Sequence, residues 1–367
     1  MMLTVVLLAF VIYGYNIYLF YQGIKNKKKV ISYKKSAVSV IIAARNEEKN
    51  ILHLLTSLIN QSYPSNLYEI IVANDGSTDR TGSIISDFTK KHKNIILVDV
   101  KDRDKVVSPK KNALSQAIQA SSNEIILTTD ADCIVGSYWI EAMVSNFDEN
   151  TDMIVGFSQT RINNWKSAKF IQKFEHFDFL VMLFAAAGSI SSGKIYSCTG
   201  QNLAYRRKSF DEVGGFEKIK HLISGDDLNL MQLFRKAGFK INFSFLEKSF
   251  ASTKPVASYT QFLNQRIRWA SNTKWQFFLN PEFMLYLLSV LFVVFFPIYY
   301  IFVKIEISII LILIRIVLEL IFINLGFDVF RIDKKRKSFY FAWFLFQPIY
   351  MIIVAVLGQL GFFKWKK

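Results

Sequence analysis

Uninterrupted apolar strands alternate with amphipathic helices between residues 36 and 155, and no other feature constrains the fold as strongly. Strands are predicted at 37–45, 68–76, 94–100 and 124–132, with a helix after each. Strands that are apolar throughout must be covered on both faces, which is typical of parallel sheets with helical crossovers. The sequence therefore predicts an α/β fold whose sheet is mostly parallel, with helices on both faces.

Polar residues follow three of these strands at the point where each strand ends. They are Arg45, Asn46, Glu47, Asn74, Asp75, Asp130 and Asp132. Ligands of open parallel sheets bind beyond the carboxyl ends of the strands, so these side chains are candidates for one binding site. Asn46 is also predicted to cap the first helix, with Glu47 and Glu48 in its first turn. No G-x-G-x-x-G sequence follows the first strand, which disfavours a dinucleotide cofactor.

Apolar segments at both ends predict an integral membrane protein. The first 22 residues are long enough for a retained anchor, and further apolar stretches lie at about 283–303, 305–327 and 339–363. The basic runs at 25–29 and 333–337 favour the cytosolic side. Three to four spans fit, because Gln347-Pro348 is also compatible with a re-entrant segment. The predicted parts are a transmembrane anchor (1–24), a cytosolic domain (36–280) and a C-terminal membrane domain with two to three spanning or re-entrant helices (281–367).

Two features of the apolar regions each have two interpretations. Residues 170–188 mix apolar and charged positions, which fits an internal core helix or a helix lying in the membrane interface. Arg315 and Glu319 lie one helical turn apart within an apolar stretch. Charges inside a membrane are functional candidates, but an i,i+4 pair also neutralises itself.

Composition excludes several classes of function. The chain has 45 Lys+Arg and 29 Asp+Glu, a net charge of +16, while 51% of its residues are hydrophobic. This combination fits a membrane protein with basic cytosolic flanks better than a nucleic-acid binder. The 2 cysteines form no disulfide framework, and the 4 scattered histidines lack zinc-ligand spacing. We therefore expect a reducing compartment and no zinc site.

Six motifs follow one another along the middle of the chain. They are AARNEEKNI (43–51), ANDGSTDRT (73–81), TTDADC (128–133), TGQNLAYRRKSFDEVGGF (199–216), SGDDLNLMQLFRKAGF (224–239) and QRIRW (265–269). In this order they resemble membrane-associated family-two glycosyltransferases, which transfer a sugar from a nucleotide-diphospho-sugar. The resemblance spans about residues 36–275 and implies a glycosyltransferase A-type, nucleotide-sugar-binding sheet.

The resemblance implies that Asp75 accepts hydrogen bonds from the nucleotide base, most often uracil, with Asn46 and Glu47 on the same donor-binding edge. Asp132 is the implied direct ligand of Mg²⁺ or Mn²⁺, and Asp130 contacts the ribose or metal-bound water. A divalent ion with hard oxygen ligands lets carboxylates face a diphosphate that would otherwise be repelled. Two structural alternatives remain: Asp75 also fits an Asp-Gly turn, and Asp130 and Asp132 a solvated loop.

The other motifs supply the implied catalytic residues. Asp227 matches the family's catalytic base, preceded here by Asp226 where the family usually has glutamate; the same residues also fit a helix cap. Arg268 is implied to stabilise the departing diphosphate and Trp269 to offer a flat face to the acceptor. Gln265 is expected to hydrogen-bond the donor or the acceptor. The alternative for QRIRW is a basic amphipathic helix on the membrane surface.

Two further groups have weaker signals. Lys110 and Lys111 stand at the start of the third helix, where they fit either a phosphate contact or a solvated basic helix end. Thr199, Gly200, Gln201 and Asn202 are expected to line the acceptor pocket.

These roles predict an inverting glycosyltransferase that moves a sugar, UDP-linked in this interpretation, onto a hydroxyl of a membrane lipid. A processive polysaccharide synthase is the alternative. The expected partners are a nucleotide-diphospho-sugar, a lipid or glycan acceptor and membrane lipids, without nucleic acid. The expected location is the plasma membrane of a bacterium, with the catalytic domain in the cytosol. A glycoside hydrolase also uses paired carboxylates, but Asp75 and the opening of a parallel sheet speak against it.

Overall fold

The computed structural model describes residues 2–27, 35–102 and 106–363, so Lys28 and Lys29 of the basic run lie outside the described residues. The chain divides into two compact units. The sheet unit comprises residues 28–161 and 198–255, and the helical unit comprises residues 1–27, 162–197 and 256–367. Each unit is thus built from segments that are separated in the sequence.

The sheet unit contains ten strands in the described residues, and the first four of them were predicted. They are β1 (Val38–Ala44), β2 (Tyr68–Asn74), β3 (Ile95–Asp99), β4 (Ile125–Thr128), β5 (Cys133–Val135), β6 (Thr151–Gly156), β7 (Ser158–Thr160), β8 (Leu203–Arg206), β9 (Lys240–Ser244) and β10 (Ala251–Thr253). A seven-stranded sheet has the order β3-β2-β1-β4-β8-β6-β9, and a small sheet has the order β5-β10-β7. In the large sheet only β8 runs antiparallel to its neighbours. The predicted α/β class with a mostly parallel sheet is confirmed.

The helices, numbered along the whole chain, surround these strands. Those of the sheet unit are α2 (Ile51–Ile59), α3 (Thr81–Lys91), α4 (Pro109–Gln119), α5 (Trp139–Val144), α7 (Arg207–Glu212) and α8 (Leu228–Lys236). Short 3₁₀ segments lie at Ser65–Leu67, Gly215–Ile219 and Glu247–Ser249. Pro109 occupies the first turn of α4 as predicted, a position where its missing N–H costs nothing.

Strand β1 explains why the sequence shows an uninterrupted apolar run. It pairs in parallel with β2 and with β4, so it lies inside the sheet, and nearly all of its residues are buried. Val40 and Ile42 belong to a core cluster with residues of α2, α3 and α5. The chain runs outward from β1 to β3 and then returns to β4 on the other side of β1. The carboxyl ends of β1 and β4 therefore flank a topological switch point, where ligands of open sheets bind.

Two of the boundary differences from the prediction affect candidate site residues. Helix α2 begins at Ile51, so Asn46 does not cap it and no acidic residue lies in its first turn. Asn46 instead has a left-handed backbone with φ 52°, a conformation that asparagine tolerates. Strand β4 ends at Thr128, before the predicted end at 132. Asp130 and Asp132 therefore lie in a turn, closed by a hydrogen bond of 3.0 Å from Cys133 N to the Asp130 carbonyl.

The helical unit contains the predicted apolar segments. Its helices are α1 (Met2–Lys25), α6 (Phe170–Ser191), α9 (Tyr259–Ala270), α10 (Gln276–Leu279), α11 (Pro281–Val303), α12 (Ile305–Val329) and α13 (Tyr340–Gln359), with 3₁₀ segments at Thr273–Trp275 and Lys334–Phe339. Four helical segments of the described chain are long and apolar enough, by length and composition, to cross a membrane: 2–25, 170–191, 281–303 and 334–359. Of these, 170–191 is 78% buried, against 22–39% for the others, so α6 is a core helix of the unit.

Arg315 and Glu319 form a buried ion pair inside α12. Arg315 Nε lies 2.8 Å from Glu319 Oε1, and Arg315 also donates to Gln347. Tyr13 and Tyr340 donate their hydroxyls to Glu319 at 3.1 and 2.8 Å. The pair links α12 to α1 and α13, which supports the interpretation as a self-neutralising structural pair.

Candidate active site

The loops after β1 and β2 interlock at the carboxyl edge of the sheet. Thr78 N donates to Asn46 Oδ1 at 2.9 Å, and Glu47 N donates to Thr81 Oγ1 at 2.8 Å. Asp75 N donates to the Ala44 carbonyl at 2.9 Å. The structure thus brings the predicted residues Asn46, Glu47 and Asp75 to one edge, where Asn46 and Glu47 help to hold the loop that carries Asp75.

Arg45 adds a cationic donor to this edge. Its Nη1 lies 4.0 Å from Asp75 Oδ2, and Asp75 is only 5% exposed. Arg45 Nε and Nη1 are buried and have no hydrogen-bond partner among the described residues. Buried donors that lack a protein partner are costly unless something else satisfies them. This position therefore fits a polar ligand with acceptor atoms.

An acidic cluster around Lys110 lies beyond the end of β4. Lys110 Nζ is 2.9 Å from Asp130 Oδ1 and 2.9 Å from Asp226 Oδ2. Although burial lowers the pKa of Lys110, the charges of Asp130 and Asp226 raise it well above its usual value, so the ammonium stays charged. The carboxylates of this cluster are thus arranged around a positive charge.

Asp227 lies at the N-terminus of α8 and points into the same pocket, which is also lined by Lys110, Asp130 and Asp226. Its Oδ2 accepts from Gly200 N at 2.8 Å and its Oδ1 from Leu228 N at 2.6 Å. Burial raises the pKa of Asp227 and the charge of Asp226 raises it further, while Lys110 and the two backbone donors lower it. A carboxylate that is fixed in place and more basic than usual is suited to accept a proton.

Two glycines lie close to this acidic pair. A Cβ at Gly200 would lie 3.3 Å from Asp226 Oδ2, so the absence of a side chain allows the close approach to Asp227. Gly225 has φ +77°, and a Cβ there would lie 2.4 Å from Asn229 Nδ2. The turn into Asp226 therefore depends on a residue without a side chain.

Lys111 holds residues 222–224, which precede Asp226 and Asp227 in the sequence. Its Nζ donates to the carbonyls of Leu222 and Ser224, the second at 2.9 Å, and Ser108 Oγ donates to the Ile223 carbonyl at 3.0 Å. Burial lowers the pKa of Lys111 to about 8. Lys111 thus connects α4 to residues 222–224. This contact explains its position without the phosphate contact or the solvated helix end predicted from the sequence.

The turn after β4 carries two carboxylates, those of Asp130 and Asp132. Within the described ranges no group of three or more His, Cys, Asp or Glu side chains could hold a metal. Cys133 Sγ lies 3.9 Å from Asp132 Oδ1, and burial together with the charges of Asp132 and Asp130 raises the pKa of this thiol. Mg²⁺ is commonly held by one or two carboxylates together with substrate phosphates. Asp130 and Asp132 are the oxygen donors that would hold such an ion, and the ammonium of Lys110 shows that Asp130 accepts a cation.

Replacing Lys110 by methionine is expected to strengthen Mn²⁺ binding in the absence of nucleotide. The change removes a positive charge that touches Asp130 and Asp226. Removing a unit charge a few ångströms from the ion should raise affinity by about tenfold, roughly 1.4 kcal/mol. Titration of the full-length protein with Mn²⁺, followed calorimetrically, measures the effect. Lys220→Met, at an exposed lysine, is the matched control, and unchanged or weaker Mn²⁺ binding by folded Lys110→Met would contradict the assignment.

Asn202 has a structural role. It is fully buried, and its Nδ2 donates to the carbonyls of Phe157 and Ser249 at 2.8 and 2.7 Å. Its Oδ1 accepts from Trp139 Nε1 at 3.0 Å. All of its hydrogen-bonding groups thus bind protein, and of the TGQN residues it is Gly200 that contacts the acidic pair.

The QRIRW residues lie on α9 of the helical unit. Gln265, Arg268 and Trp269 are half-buried, whereas Arg266 is only 4% exposed. Arg266 Nη1 donates to Gln265 Oε1 at 2.9 Å, and its guanidinium lies 4.4 Å from the centre of the Trp269 ring. The structure thus brings two of the three predicted residues together through a residue that the sequence analysis did not assign.

Residues 39–214 match the family described as glycosyl transferase family 2. This range runs from β1 to beyond α7, so it includes Asp75, Asp130, Asp132 and Gly200.

Several curated proteins are similar to the chain. It is 29% identical over 242 residues to "Probable glycosyltransferase YdaM" of Bacillus subtilis, covering 65% of this chain and 55% of that protein. Over 178 residues it is 29% identical to poly-beta-1,6-N-acetyl-D-glucosamine synthase of Staphylococcus epidermidis (48% and 41% covered). Over 235 residues it is 29% identical to beta-monoglucosyldiacylglycerol synthase of Nostoc sp. (64% and 48% covered). The chain therefore spans about half the length of these relatives.

A solved structure shares the fold along nearly the whole chain. It is the mannosyltransferase PcManGT from Pyrobaculum calidifontis, in complex with GDP-Man and Mn²⁺. The TM-score is 0.62 at 18% identity, and the match covers 97% of this chain and 98% of that one. The similarity supports the predicted glycosyltransferase A-type architecture.

Proposed function

We propose that the chain, whose residues 39–214 match glycosyl transferase family 2, is an inverting glycosyltransferase that uses a nucleotide-diphospho-sugar. The observation that carries the proposal is the acidic pocket at the carboxyl edge of the sheet. There Asp227, with a raised pKa, shares a pocket with Lys110, Asp130 and Asp226. This combination offers a base for an acceptor hydroxyl and cationic and metal-binding groups for a diphosphate.

The donor is proposed to bind along the carboxyl ends of β1, β2 and β4. Asp75 would accept from the N–H of the base, and the buried donors of Arg45 would satisfy its carbonyl oxygens. Asp130 and Asp132 would hold Mg²⁺ or Mn²⁺, which when bound neutralises the diphosphate and stabilises it as a leaving group. A uracil nucleotide is the donor that we propose.

Transfer would take place in a single displacement. Asp227 removes the proton from the acceptor hydroxyl while that oxygen attacks the anomeric carbon on the side opposite the diphosphate. The attack inverts the configuration through an oxocarbenium-like transition state. For Arg268 we propose stabilisation of the leaving diphosphate, for Trp269 a stacking surface for the acceptor, and for Gln265 a hydrogen bond to donor or acceptor.

We propose a membrane lipid as the acceptor. Apart from the core helix α6, three helical segments of the described chain are long and apolar enough to cross a membrane, which would keep the enzyme where lipid acceptors are. One relative is named a glucosyldiacylglycerol synthase, whereas another is named a polysaccharide synthase, so a growing polymer is the second candidate. Three or four spans form a poor channel for a polymer in one subunit, which favours the lipid. The catalytic domain is proposed to face the cytosol at a bacterial plasma membrane, with the basic run near residues 333–337 on that side.

The acceptor class is tested by supplying full-length protein in vesicles of bacterial lipid with radiolabelled UDP-sugars and Mn²⁺. We expect label in the organic phase after lipid extraction, in a product that carries a single sugar. Wild-type vesicles treated with excess chelator serve as the control and should give no labelled product. A ladder of long, water-soluble products would instead select the polysaccharide synthase, and absence of transfer from every nucleotide-sugar would reject the proposed function.

A further inference from the structure

A buried ion pair fixes the helix that carries QRIRW. Arg266 Nε and Nη2 lie 3.0 and 2.9 Å from Asp178 Oδ2, and the two side chains are 4% and 2% exposed. Arg266 belongs to α9 and Asp178 to α6, the core helix of the helical unit. The pair therefore attaches α9 to the most buried helix of the unit.

The other oxygen of Asp178 binds a third helix. Asp178 Oδ1 accepts from Trp343 Nε1 at 3.1 Å and from Tyr350 OH at 2.5 Å, and both donors belong to α13. We call Asp178, Arg266, Trp343 and Tyr350 the Asp178 clamp. Through this one carboxylate, α6, α9 and α13 are held in a single arrangement.

Arg266 also contacts two of the residues to which the proposed function gives roles. Nη1 donates to the side chain of Gln265, and the planar guanidinium lies over the Trp269 ring on one side and, at 4.8 Å, over the Phe262 ring. A guanidinium has a fixed fork of donors and a flat face, so fixing its carboxylate also fixes what it donates to and stacks on. Lysine has one charged atom and cannot make these contacts at the same time.

Stability alone is a weak explanation for this arrangement. A buried ion pair loses most of its attraction to desolvation, and neutral replacements of both partners are often tolerated, whereas such pairs are best attested as devices that specify geometry. The helical unit contains a second buried pair, Arg315 and Glu319, that contacts no QRIRW residue among the described contacts. Removing each pair in turn therefore distinguishes a general loss of stability from a local effect on α9.

We propose that Arg266 and Asp178 are positioning residues for the acceptor step, which rests on the proposed role of Trp269 and on Gln265 bonding the acceptor, not the donor. The clamp holds α9 so that the Trp269 ring and the Gln265 amide keep one orientation. Disturbing it should impair use of the acceptor and leave donor binding intact.

The test compares two double variants of the full-length protein, each of which removes both charges of one buried pair. Asp178→Asn with Arg266→Gln changes the clamp, and Arg315→Gln with Glu319→Gln is the matched control. For the clamp variant we expect the acceptor KM to rise at least about tenfold, with the Kd for nucleotide unchanged. We also expect faster amide hydrogen exchange over 259–270. The control should keep the acceptor KM and the amide exchange over 259–270 near wild type. This should hold even if its thermal midpoint falls as far as that of the clamp variant.

Arg266→Lys refines the comparison because it keeps the charge without the fork. It should show an acceptor KM between those of wild type and the clamp variant. The proposal is overturned if the clamp variant matches the control in both acceptor KM and exchange of α9, or if it loses nucleotide binding as well. If wild type transfers no sugar at all, the proposed function fails, while exchange over 259–270 still decides whether the clamp holds α9.

Discussion

Asp227→Asn is expected to abolish sugar transfer and to leave nucleotide-sugar binding close to that of wild type. Asparagine has the same shape, and its one carbonyl oxygen can keep one of the two backbone hydrogen bonds that Asp227 accepts, from Gly200 N at 2.8 Å or from Leu228 N at 2.6 Å. Besides the other of these bonds, what is lost is the ability to take a proton from the acceptor hydroxyl. General-base catalysis contributes roughly 10²–10⁴-fold, so kcat should fall by at least that factor. Transfer assays at saturating donor measure it, alongside calorimetric nucleotide binding.

The pH dependence of the wild-type enzyme provides a second measurement of the same role. A base acts only when it is deprotonated, so activity is lost as pH falls through its pKa. Burial and the charge of Asp226 raise the pKa of Asp227, so the acid limb of kcat/KM should lie above the range of an ordinary aspartate. Asp87→Asn, at an exposed aspartate of α3, is the control. It should keep the wild-type rate and the wild-type acid limb of kcat/KM. Substantial turnover by folded Asp227→Asn would refute the assignment.

The fold could be predicted to a large extent because apolar periodicity reports burial directly. The unbroken apolar run of β1 could be read as a central parallel strand, and the structure places it between β2 and β4. The ends of helices and strands were harder to predict, because the local backbone conformation can override the apolar pattern. Asn46 looked like a helix cap, but it adopts a left-handed backbone and bonds Thr78, and α2 begins only at Ile51.

The site was only partly predictable, and the reason is distance along the chain. Acidic residues such as Asp130 are visible because strand ends in a parallel sheet share one edge. The partner of Lys110 at Asp226 comes from another part of the chain, and so does the partner of Arg266 at Asp178. No periodic pattern records such pairings. Two adjacent lysines at one helix start thus gave no signal that Lys110 binds carboxylates and Lys111 backbone carbonyls.

Asp132→Asn is expected to remove metal-dependent binding of the donor and, with it, transfer. Asp132 lies in the turn after β4, and the Cys133 N–H bond that closes this turn is made to a backbone carbonyl, so the substitution should preserve the fold. The change removes one of two carboxylates proposed to hold the ion, and a neutral amide is a weak ligand for Mg²⁺ or Mn²⁺. We expect the Mn²⁺-dependent gain in nucleotide affinity to fall at least about 100-fold, roughly 2.8 kcal/mol.

Nucleotide binding with and without Mn²⁺ should be measured for Asp132→Asn and Asp227→Asn in the same assay. Both variants should fail to transfer sugar, but only Asp132→Asn should lose the response of nucleotide binding to Mn²⁺. The two acids would then perform separable steps, one in holding the diphosphate and the other in activating the acceptor. If Asp132→Asn binds nucleotide with wild-type metal dependence, the ion is held elsewhere, and the role proposed for the turn after β4 is wrong. If both variants lose metal-dependent binding equally, Asp227 acts in donor binding, and the pocket then lacks an assigned base.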